Sequence, residues 1–489
     1  MHTLIHTLQN LSWTLNGWTV LTLAAELVAL LTIPSVLLQR RGQPLSALSW
    51  TLCLIGLPYF GVVLWWGIGR THLKRKRRKR RTAKLNLSQG LATIRPPGVQ
   101  EDIPGEFLSI IRFPAEDAWA VFPAVKDNRV RLLVDGAHTY TALEEMILSA
   151  RHHVHVLFYI WQRDATGRYF RDMLVQKARE GVKVRVLLDA MGAGGAAGRF
   201  MNPLREAGGE VAVFMPTRYL RRSLSLNFRN HRKIVVVDGR LGYTGGLNIG
   251  DEYVSEWRDM ALRLEGPVVG QLQEVFLDDW YFATGDNCAD PTYFEGAADL
   301  PEEIPGLPAT CAILAGGPDT LDNPTLDTFF MAITMSRERV WITTPYLAPS
   351  QDVLTALRTA VFRGVDVRLL VPRRSDSLFV QLAGRSFYPA LLRAGVRVYE
   401  YLPAVLHGKT WIFDQEHLAI GSANLDNRSF KLNFEITCFL RGAEVTGEMA
   451  ALYTKDLAHS EEIDLDRFER RGTWTELKES AANLLGPLL

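Results

Sequence analysis

Two hydrophobic patterns divide the chain. Near the front, Trp18 to Leu38 and Leu45 to Ile68 are apolar stretches of roughly 20 residues or slightly more, long enough to span hydrocarbon, separated by Arg40-Arg41-Gly42-Gln43. From about residue 130 onward, short apolar runs alternate with amphipathic ones. Thr141 to Ala150 reads as helix, His153 to Trp161 as strand, Tyr169 to Glu180 as helix and Val182 to Asp189 as a buried strand. Pro203 to Ala207 closes a further helix, and Glu210 to Phe214 is a strand. The same order returns as Leu326 to Met335, Val340 to Tyr346, Val353 to Phe362 and Val365 to Val371. Two phrases mark the same turn: Arg-Glu-Gly-Val-Lys-Val-Arg (179 to 185) and Phe-Arg-Gly-Val-Asp-Val-Arg (362 to 368). Alternating helix and strand predicts an α/β fold, with a mixed, largely parallel sheet covered by helices in each of two duplicated halves.

The pattern predicts these divisions: a transmembrane hairpin over 1–70, a basic segment and linker over 71–129, a first lobe over 130–285, a linker over 286–310, and a second lobe over 311–489 that ends in a helix. Glu26 and Pro34 are costly on a lipid-facing helix, so the first span needs a tilt, a kink or a polar contact with the second. Trp50, Tyr59, Trp65 and Trp66 suit the membrane interface or a buried aromatic cluster. Residues 1 to 17 lack the basic start and small-residue cleavage site of a removable signal.

The duplication extends to chemistry. His231-Arg-Lys233-Ile-Val-Val-Val-Asp238 recurs as His407-Gly-Lys409-Thr-Trp-Ile-Phe-Asp414. Counting from each His, Gly245-Gly246 and Gly421-Ser422 fall at the same offset, followed by Asn248 and Asn424, then by the acids Asp259 and Glu435. The runs after each Lys are of strand type, and residues two apart on a strand share a face, so each His and its Lys are expected to point together. Two such arms meeting at one point would hold a phosphodiester. The lysines balance phosphate charge, one imidazole attacks phosphorus as a neutral nucleophile, and the other, protonated, serves the leaving alkoxide. Asp259 and Glu435 are candidates to orient the imidazoles, and Asn248 and Asn424 to bond phosphate oxygens. Asp238 and Asp414, at strand ends before a turn, read as scaffold carboxylates within the motif. A His followed two residues later by a cation is a poor metal ligand set, so no metal is expected. Trading one phosphodiester for another also needs no nucleotide or other cofactor.

The formal net charge of +2 conceals an uneven distribution. Ten of the 55 basic residues lie between 70 and 84, which leaves the remainder with 45 against 53 acidic ones. An acidic body argues against a nucleic-acid partner. A basic block beside a membrane span attracts anionic lipid and places the chain beyond it on the cytoplasmic side, with both termini there if both stretches cross. Cys53, Cys288, Cys311 and Cys438 lie far apart and form no pairing or metal motif.

The paired motifs, with Leu48-Ser49-Trp50, Pro58-Tyr59-Phe60-Gly61, Gly69-Arg70, Gly246-Leu-Asn248-Ile-Gly-Asp-Glu-Tyr253, Trp257-Arg258-Asp259 and Gly486-Pro-Leu-Leu489, resemble the phospholipase D superfamily and, within it, bacterial cardiolipin synthases with two membrane segments. The resemblance implies two lobes packed face to face about a pseudo-twofold axis, in the bacterial cytoplasmic membrane. It also implies a phosphatidyl-histidine intermediate formed from one phosphatidylglycerol and attacked by a second, giving cardiolipin and glycerol.

Three rivals stay open: a phospholipase D releasing phosphatidic acid, a phosphodiesterase acting on nucleic acid, and an idle lipid-binding scaffold. The first half carries an insertion, Thr217 to Arg229, in which Arg218, Arg221 and Arg222 stand among apolar and aromatic groups as candidates for lipid contact. Ser422 is a further substrate-binding candidate. Arg373-Arg374 and Leu378 to Tyr388 are candidates for the opposite wall, and Leu477 to Leu489 has helical spacing suited to docking on the body or on lipid.

Overall fold

The computed structural model describes residues 17–69, 103–111, 122–193, 195–215, 228–288, 290–295, 306–320 and 323–484. The insertion arginines 218, 221 and 222 lie outside them. Contacts divide the chain into two units: one holds residues 1–76 with 217–227, the other the remainder.

In the first unit, α1 (Gly17–Gln39) is a single helix, of which Val20–Gln39 is long and apolar enough to cross a membrane. The second apolar stretch departs from the expected span. It breaks into α2 (Pro44–Gly56) and α3 (Pro58–Leu64), followed by a π-turn over Trp65–Gly69. The break falls at Leu57, whose φ of −136° and ψ of 65° are not helical. A residue before proline is forced out of the α region by the ring. After the break the chain doubles back. Tyr59 donates to Thr22 at 2.9 Å, the Trp66 indole to Thr32 at 3.4 Å, and Arg40 to the Gly69 carbonyl at 2.9 Å. The second half of the stretch therefore runs alongside α1 in the same direction, and both end together. Gly61 permits the fold-back, because a Cβ there would lie 2.8 Å from the Cys53 carbonyl oxygen.

The second unit is built on one continuous sheet. Its strands are β1 (Val125–Val134), β2 (His153–Phe158), β3 (Lys183–Asp189), β4 (Glu210–Phe214), β5 (Ile234–Val237), β6 (Leu241–Gly245), β7 (Met260–Glu265), β8 (Leu307–Leu314), β9 (Arg339–Thr343), β10 (Asp366–Pro372), β11 (Arg397–Tyr401), β12 (Thr410–Phe413), β13 (His417–Gly421), β14 (Thr437–Arg441) and β15 (Ser460–Glu462). The order is β15-β11-β10-β9-β12-β13-β14-β8-β1-β7-β6-β5-β2-β3-β4. Reading outward from the β1/β8 pair, the two sides match strand for strand, with β15 added at one edge. The halves thus join edge to edge through antiparallel β1 and β8, not face to face as expected.

Within each half the three strands beyond the motif hairpin are parallel to one another, the inner pairs are antiparallel, and the added β15 is antiparallel to β11. This corrects the expectation of a largely parallel sheet. The motif strands β5 and β12 are followed by tight hairpins, which pair antiparallel, whereas crossover helices join only the outer strands.

Strand alternation sends side chains to two layers. On one face, α6 (Val268–Thr284) and α10 (Ala443–Leu457) pack on Val130, Leu132, Ile234, Val236, Ile313, Ile420 and Leu440, forming a core common to both halves. On the other face the cores are separate. The first lobe uses α4 (Asp135–Leu148) and α5 (Ala165–Arg179) over Val235 and Val237; the second uses α7 (Pro324–Met335) and α8 (Gln351–Phe362) over Val340, Ile342 and Trp411. Part of the expected linker is also core, since Phe107 is fully buried and stacks on His417 and Phe439. Near the chain end, α9 (Leu378–Arg385) packs against α11 (Thr473–Asn483).

The motif aspartates close the sheet. Asp238 and Asp414 sit in left-handed backbone (φ 53° and 48°) at the β5–β6 and β12–β13 turns. Asp238 accepts from the backbone N–H groups of Arg151, His152 and His153, each at 2.8 Å. Asp414 accepts from those of Arg337, Glu338 and Arg339 at 2.7 to 3.1 Å. Asp238→Ala or Asp414→Ala strands three donors and is expected to destabilise the fold by about 2 kcal/mol, seen as a lowered unfolding midpoint in detergent. A variant that keeps the native midpoint but loses turnover would give these carboxylates a direct chemical role instead.

Candidate active site

Each His-x-Lys segment lies at a joint, not on a strand. Residues 231–233 and 407–409 link a two-residue bridge strand to β5 or β12. The bridge strands carry the arrangement. Arg229–Asn230, just before His231, pairs in parallel with Asn433–Phe434, just before Glu435 in the other half. Val405–Leu406, just before His407, pairs with Trp257–Arg258, just before Asp259. The joints are sealed by the His231 N–H to the Phe434 carbonyl at 2.9 Å and by the His407 N–H to the Arg258 carbonyl at 2.7 Å.

Each imidazole therefore meets the acid of the other repeat. His231 Nδ1 lies 3.0 Å from Glu435 Oε2, and His407 Nδ1 lies 2.6 Å from Asp259 Oδ2. An ionised carboxylate only accepts, so both rings carry their proton on Nδ1 and leave Nε2 as the free lone pair. Lys409 Nζ approaches His407 Nδ1 at 2.7 Å. A ring N–H already given to Asp259 cannot also accept from that ammonium, so this contact is packing. Both lysines fold back onto their own motif: Lys233 donates to the His231 carbonyl at 2.8 Å and Lys409 to the His407 carbonyl.

The acids are held unequally. Glu435 Oε2 accepts from the Ser422 hydroxyl, which itself accepts from the Ile436 N–H at 3.0 Å, while Oε1 accepts from Asn433 at 3.0 Å. Ser422 is fully buried, so the structure gives it to Glu435 and not to a substrate. In the first half the matching position is Gly246, where a Cβ would lie 2.2 Å from Asp259 Oδ1. The shorter aspartate comes close to the backbone there, and its Oδ1 accepts from the Met260 N–H at 2.7 Å.

Burial dominates the titration of the cluster. It pushes His231 down to about 4, helped by Lys233 and Lys409 and opposed by Glu435. Burial and Lys409 push His407 to about 4 against Asp259. The lysines fall too, Lys233 to about 7 through burial and Lys409, and Lys409 to about 8 through burial. Burial alone would raise both acids. Glu435 nonetheless lies below its ordinary value because of His231 and Lys233, and Asp259 because of Lys409 and His407. Both imidazoles are thus neutral in the free protein, and the one charged ring expected at the moment of attack is not yet formed. The charged form has to await an anion.

One asparagine departs from expectation as well. Asn248 accepts from the Ile160 N–H at 3.2 Å and donates to Tyr253 at 3.4 Å, so its buried side chain braces the loop behind the first motif. Asn424 gives its backbone N–H to Ser429, while its buried side-chain Oδ1 meets no partner among the described residues.

Sequence reasoning missed the supporting groups. Tyr159 packs edge-on to His231 with centroids 4.8 Å apart and is fixed by Arg229 at 2.7 Å; Trp257 does the same for His407 at 4.6 Å. Arg232, the variable residue of the first motif, pairs with buried Asp279 at 2.8 Å and donates to the Glu435 carbonyl at 3.0 Å. Arg258 grips Asp456 with two nitrogens, at 3.2 and 2.9 Å. Adjacency to motif residues was the available signal for both arginines. Nothing in the spacing pointed to their partners on α6 and α10.

Comparison with known proteins agrees with this geometry. A family profile described as "Cardiolipin synthase, PLD-like domain" matches residues 143–280 and 330–457, one segment in each lobe. A cardiolipin synthase from Alkalihalophilus pseudofirmus is 35% identical over 97% of this chain and 95% of its own length. Cardiolipin synthase 2 from Bacillus anthracis is 36% identical over 94% of this chain and 90% of its own. Among solved structures, a phosphatidylserine synthase from Haemophilus influenzae shares the fold, with a TM-score of 0.57 at 14% identity over 74% of this chain and 95% of that one. Two lobes that exchange their acids across one junction, together with full-length kinship at this level, place the chain in the cardiolipin synthase family of phospholipase D-like proteins.

Proposed function

We propose that the protein transfers a phosphatidyl group from one phosphatidylglycerol to another, forming cardiolipin and glycerol. The observation that carries this reading is the crossed pair of imidazole–carboxylate contacts with two lysines beside them. His231, whose side chain keeps 12% exposure against 7% for His407, is assigned as nucleophile. Its Nε2 attacks phosphorus, the bond from phosphorus to the glycerol oxygen breaks, and His407 Nε2 donates the proton that oxygen needs. The terminal hydroxyl of a second phosphatidylglycerol then gives its proton to His407 and attacks phosphorus, and the phosphorus–nitrogen bond breaks. Lys233 and Lys409 stabilise the phosphoryl oxygens throughout, while Asp259 and Glu435 hold the ring tautomers.

The ten basic residues between 70 and 84 favour the cytoplasmic face of a bacterial membrane for the two lobes, with anionic lipid as substrate and surroundings. The run from Pro44 to Gly69 lies in the same bilayer as a re-entrant pair, since Gly69 returns to Arg40 at the end of α1. Among the described residues only α1 then crosses. The loop at Gly42 is cytoplasmic in this arrangement and external if both stretches span. Gly42→Cys, in a chain with Cys53→Ser and Cys288→Ser, is expected to react with a membrane-impermeant maleimide in inside-out vesicles; reaction only from the outer face would restore two spans.

Purified protein given phosphatidylglycerol is expected to yield cardiolipin and glycerol in equal amounts. Phosphatidic acid as the sole lipid product would replace transfer by hydrolysis. His407→Ala should retain a phosphatidyl adduct on the peptide containing His231, detectable by mass spectrometry, whereas His231→Ala should form none; the reverse pattern exchanges the two roles.

The pH dependence stems from the cluster. In the free enzyme Lys233 and then Lys409 lose charge as pH rises through about 7 and about 8, so kcat/KM should decline across that window. A bound phosphodiester retains those protons, so kcat should decline less. A kcat/KM that stays level to the ordinary lysine range would show that neither ammonium is needed.

A further inference from the structure

Helix α11 has its polarity reversed. Trp474, Leu477, Ala481 and Leu484 fall within about 80° of arc at 100° per residue, and that arc faces outward. Trp474 is 76% exposed, Leu477 57% and Leu484 82%. The opposite side faces the body and carries Glu479, which is 1% exposed and bonded to Arg471 at 2.9 Å and Arg385 at 3.4 Å. A helix packed on a soluble body normally turns its apolar stripe inward.

The helix beside it repeats the anomaly. The first turn of α9 exposes Leu378 (65%) and Phe379 (62%). This turn also borders the catalytic cleft: Asp376, two residues earlier, accepts from Tyr346 at 2.7 Å, and the Tyr346 ring lies 6.4 Å from that of His407.

We propose that the outward faces of α11 and of the first turn of α9 form a surface that lies on the bilayer and presents the cleft to lipid head groups. A membrane is the occupant the chain itself supplies, because α1 is long and apolar enough to cross one. An interfacial helix of this kind sinks its apolar residues to the boundary of head groups and acyl chains, where tryptophan is favoured. Arg374 and Lys478, close in sequence to the two apolar faces, suit anionic head groups. The inference rests on the phosphatidyl-transfer reading for its substrate but not for its surface.

The test uses full-length protein reconstituted in vesicles of equal parts phosphatidylglycerol and phosphatidylcholine. Trp474→Ser with Leu477→Ser should raise the apparent KM for vesicle phosphatidylglycerol about tenfold, while turnover of dispersed dihexanoyl phosphatidylglycerol is unchanged. An equal loss on both substrates, or no loss on either, overturns the proposal. A second readout is independent of catalysis. Leu477→Cys carrying a polarity-sensitive fluorophore, in a chain with Cys53→Ser and Cys288→Ser, should be quenched by lipids bearing a shallow nitroxide. An unquenched label, or one that cross-links to a second copy in place of quenching, overturns it. Absence of any turnover by the unsubstituted protein would defeat the transfer reading and leave the quenching result to decide the surface.

Discussion

The cleft depends on one constraint: each imidazole needs a buried carboxylate on Nδ1, and each repeat supplies that carboxylate to the other. A lobe alone would hold a histidine without its acid and an acid without its histidine. The two-residue bridge strands enforce the exchange, because they fix the register of Asn230 against Phe434 and of Leu406 against Arg258. From there the next residue on each side has no choice of partner. The continuous sheet and its common core on α6 and α10 hold the lobes in that register. Relative motion of the lobes would lengthen both imidazole–carboxylate contacts together, so the site requires them to behave as one body.

Charge balance explains how so many titratable groups share a dry space. With both rings neutral and both lysines charged, as they are below pH about 7, two ammonium groups stand against the carboxylates of Asp259 and Glu435 and those four charges balance. A phosphodiester adds one negative charge, which is the condition under which one imidazole regains its proton. The anion thus creates the acid that its own cleavage needs. Burying four ions costs less when each is satisfied, and here they are: the acids by Ser422, Asn433 and the Met260 N–H, and the lysines by backbone carbonyls.

Much of this was legible in the chain. The repeated offsets exposed the two histidines, the two lysines and both acids, because a duplicated gene keeps its spacing even where side chains diverge. The crossing was not legible, since offsets are counted within a repeat and the contacts run between repeats. Sheet direction was misread because crossover helices leave a strong periodic signal, whereas the hairpins after β5 and β12 leave only short apolar runs. The break at Leu57 was not read from the second apolar stretch because hydropathy averages over Gly56-Leu57-Pro58, although that proline already disfavours helix at the residue before it. Asn248 and Ser422 were assigned to substrate because polar residues near a motif resemble ligands until their buried partners are seen.

The remaining asymmetry bears on how two equivalent histidines come to differ. Asp259 is one methylene shorter than Glu435 and reaches His407 only because Gly246 leaves space beside the backbone. Glu435 needs no such space, and Ser422 occupies the matching position with a hydroxyl on the carboxylate. A hydroxyl bond to Glu435 Oε2 draws off part of its negative charge; Asp259 has the Met260 N–H on its other oxygen and Lys409 Nζ 4.0 Å from Oδ2, and it sits closer to its imidazole, at 2.6 Å against 3.0 Å. The stronger carboxylate contact stabilises an imidazolium better. On the carboxylate contacts alone an imidazolium is better held at His407, and the Lys409 ammonium 2.7 Å from the same Nδ1 opposes that bias. Pseudo-symmetry builds two candidate nucleophiles, and the one-carbon difference between their acids, matched by a Gly-to-Ser difference behind them, is the asymmetry from which separate roles can be built.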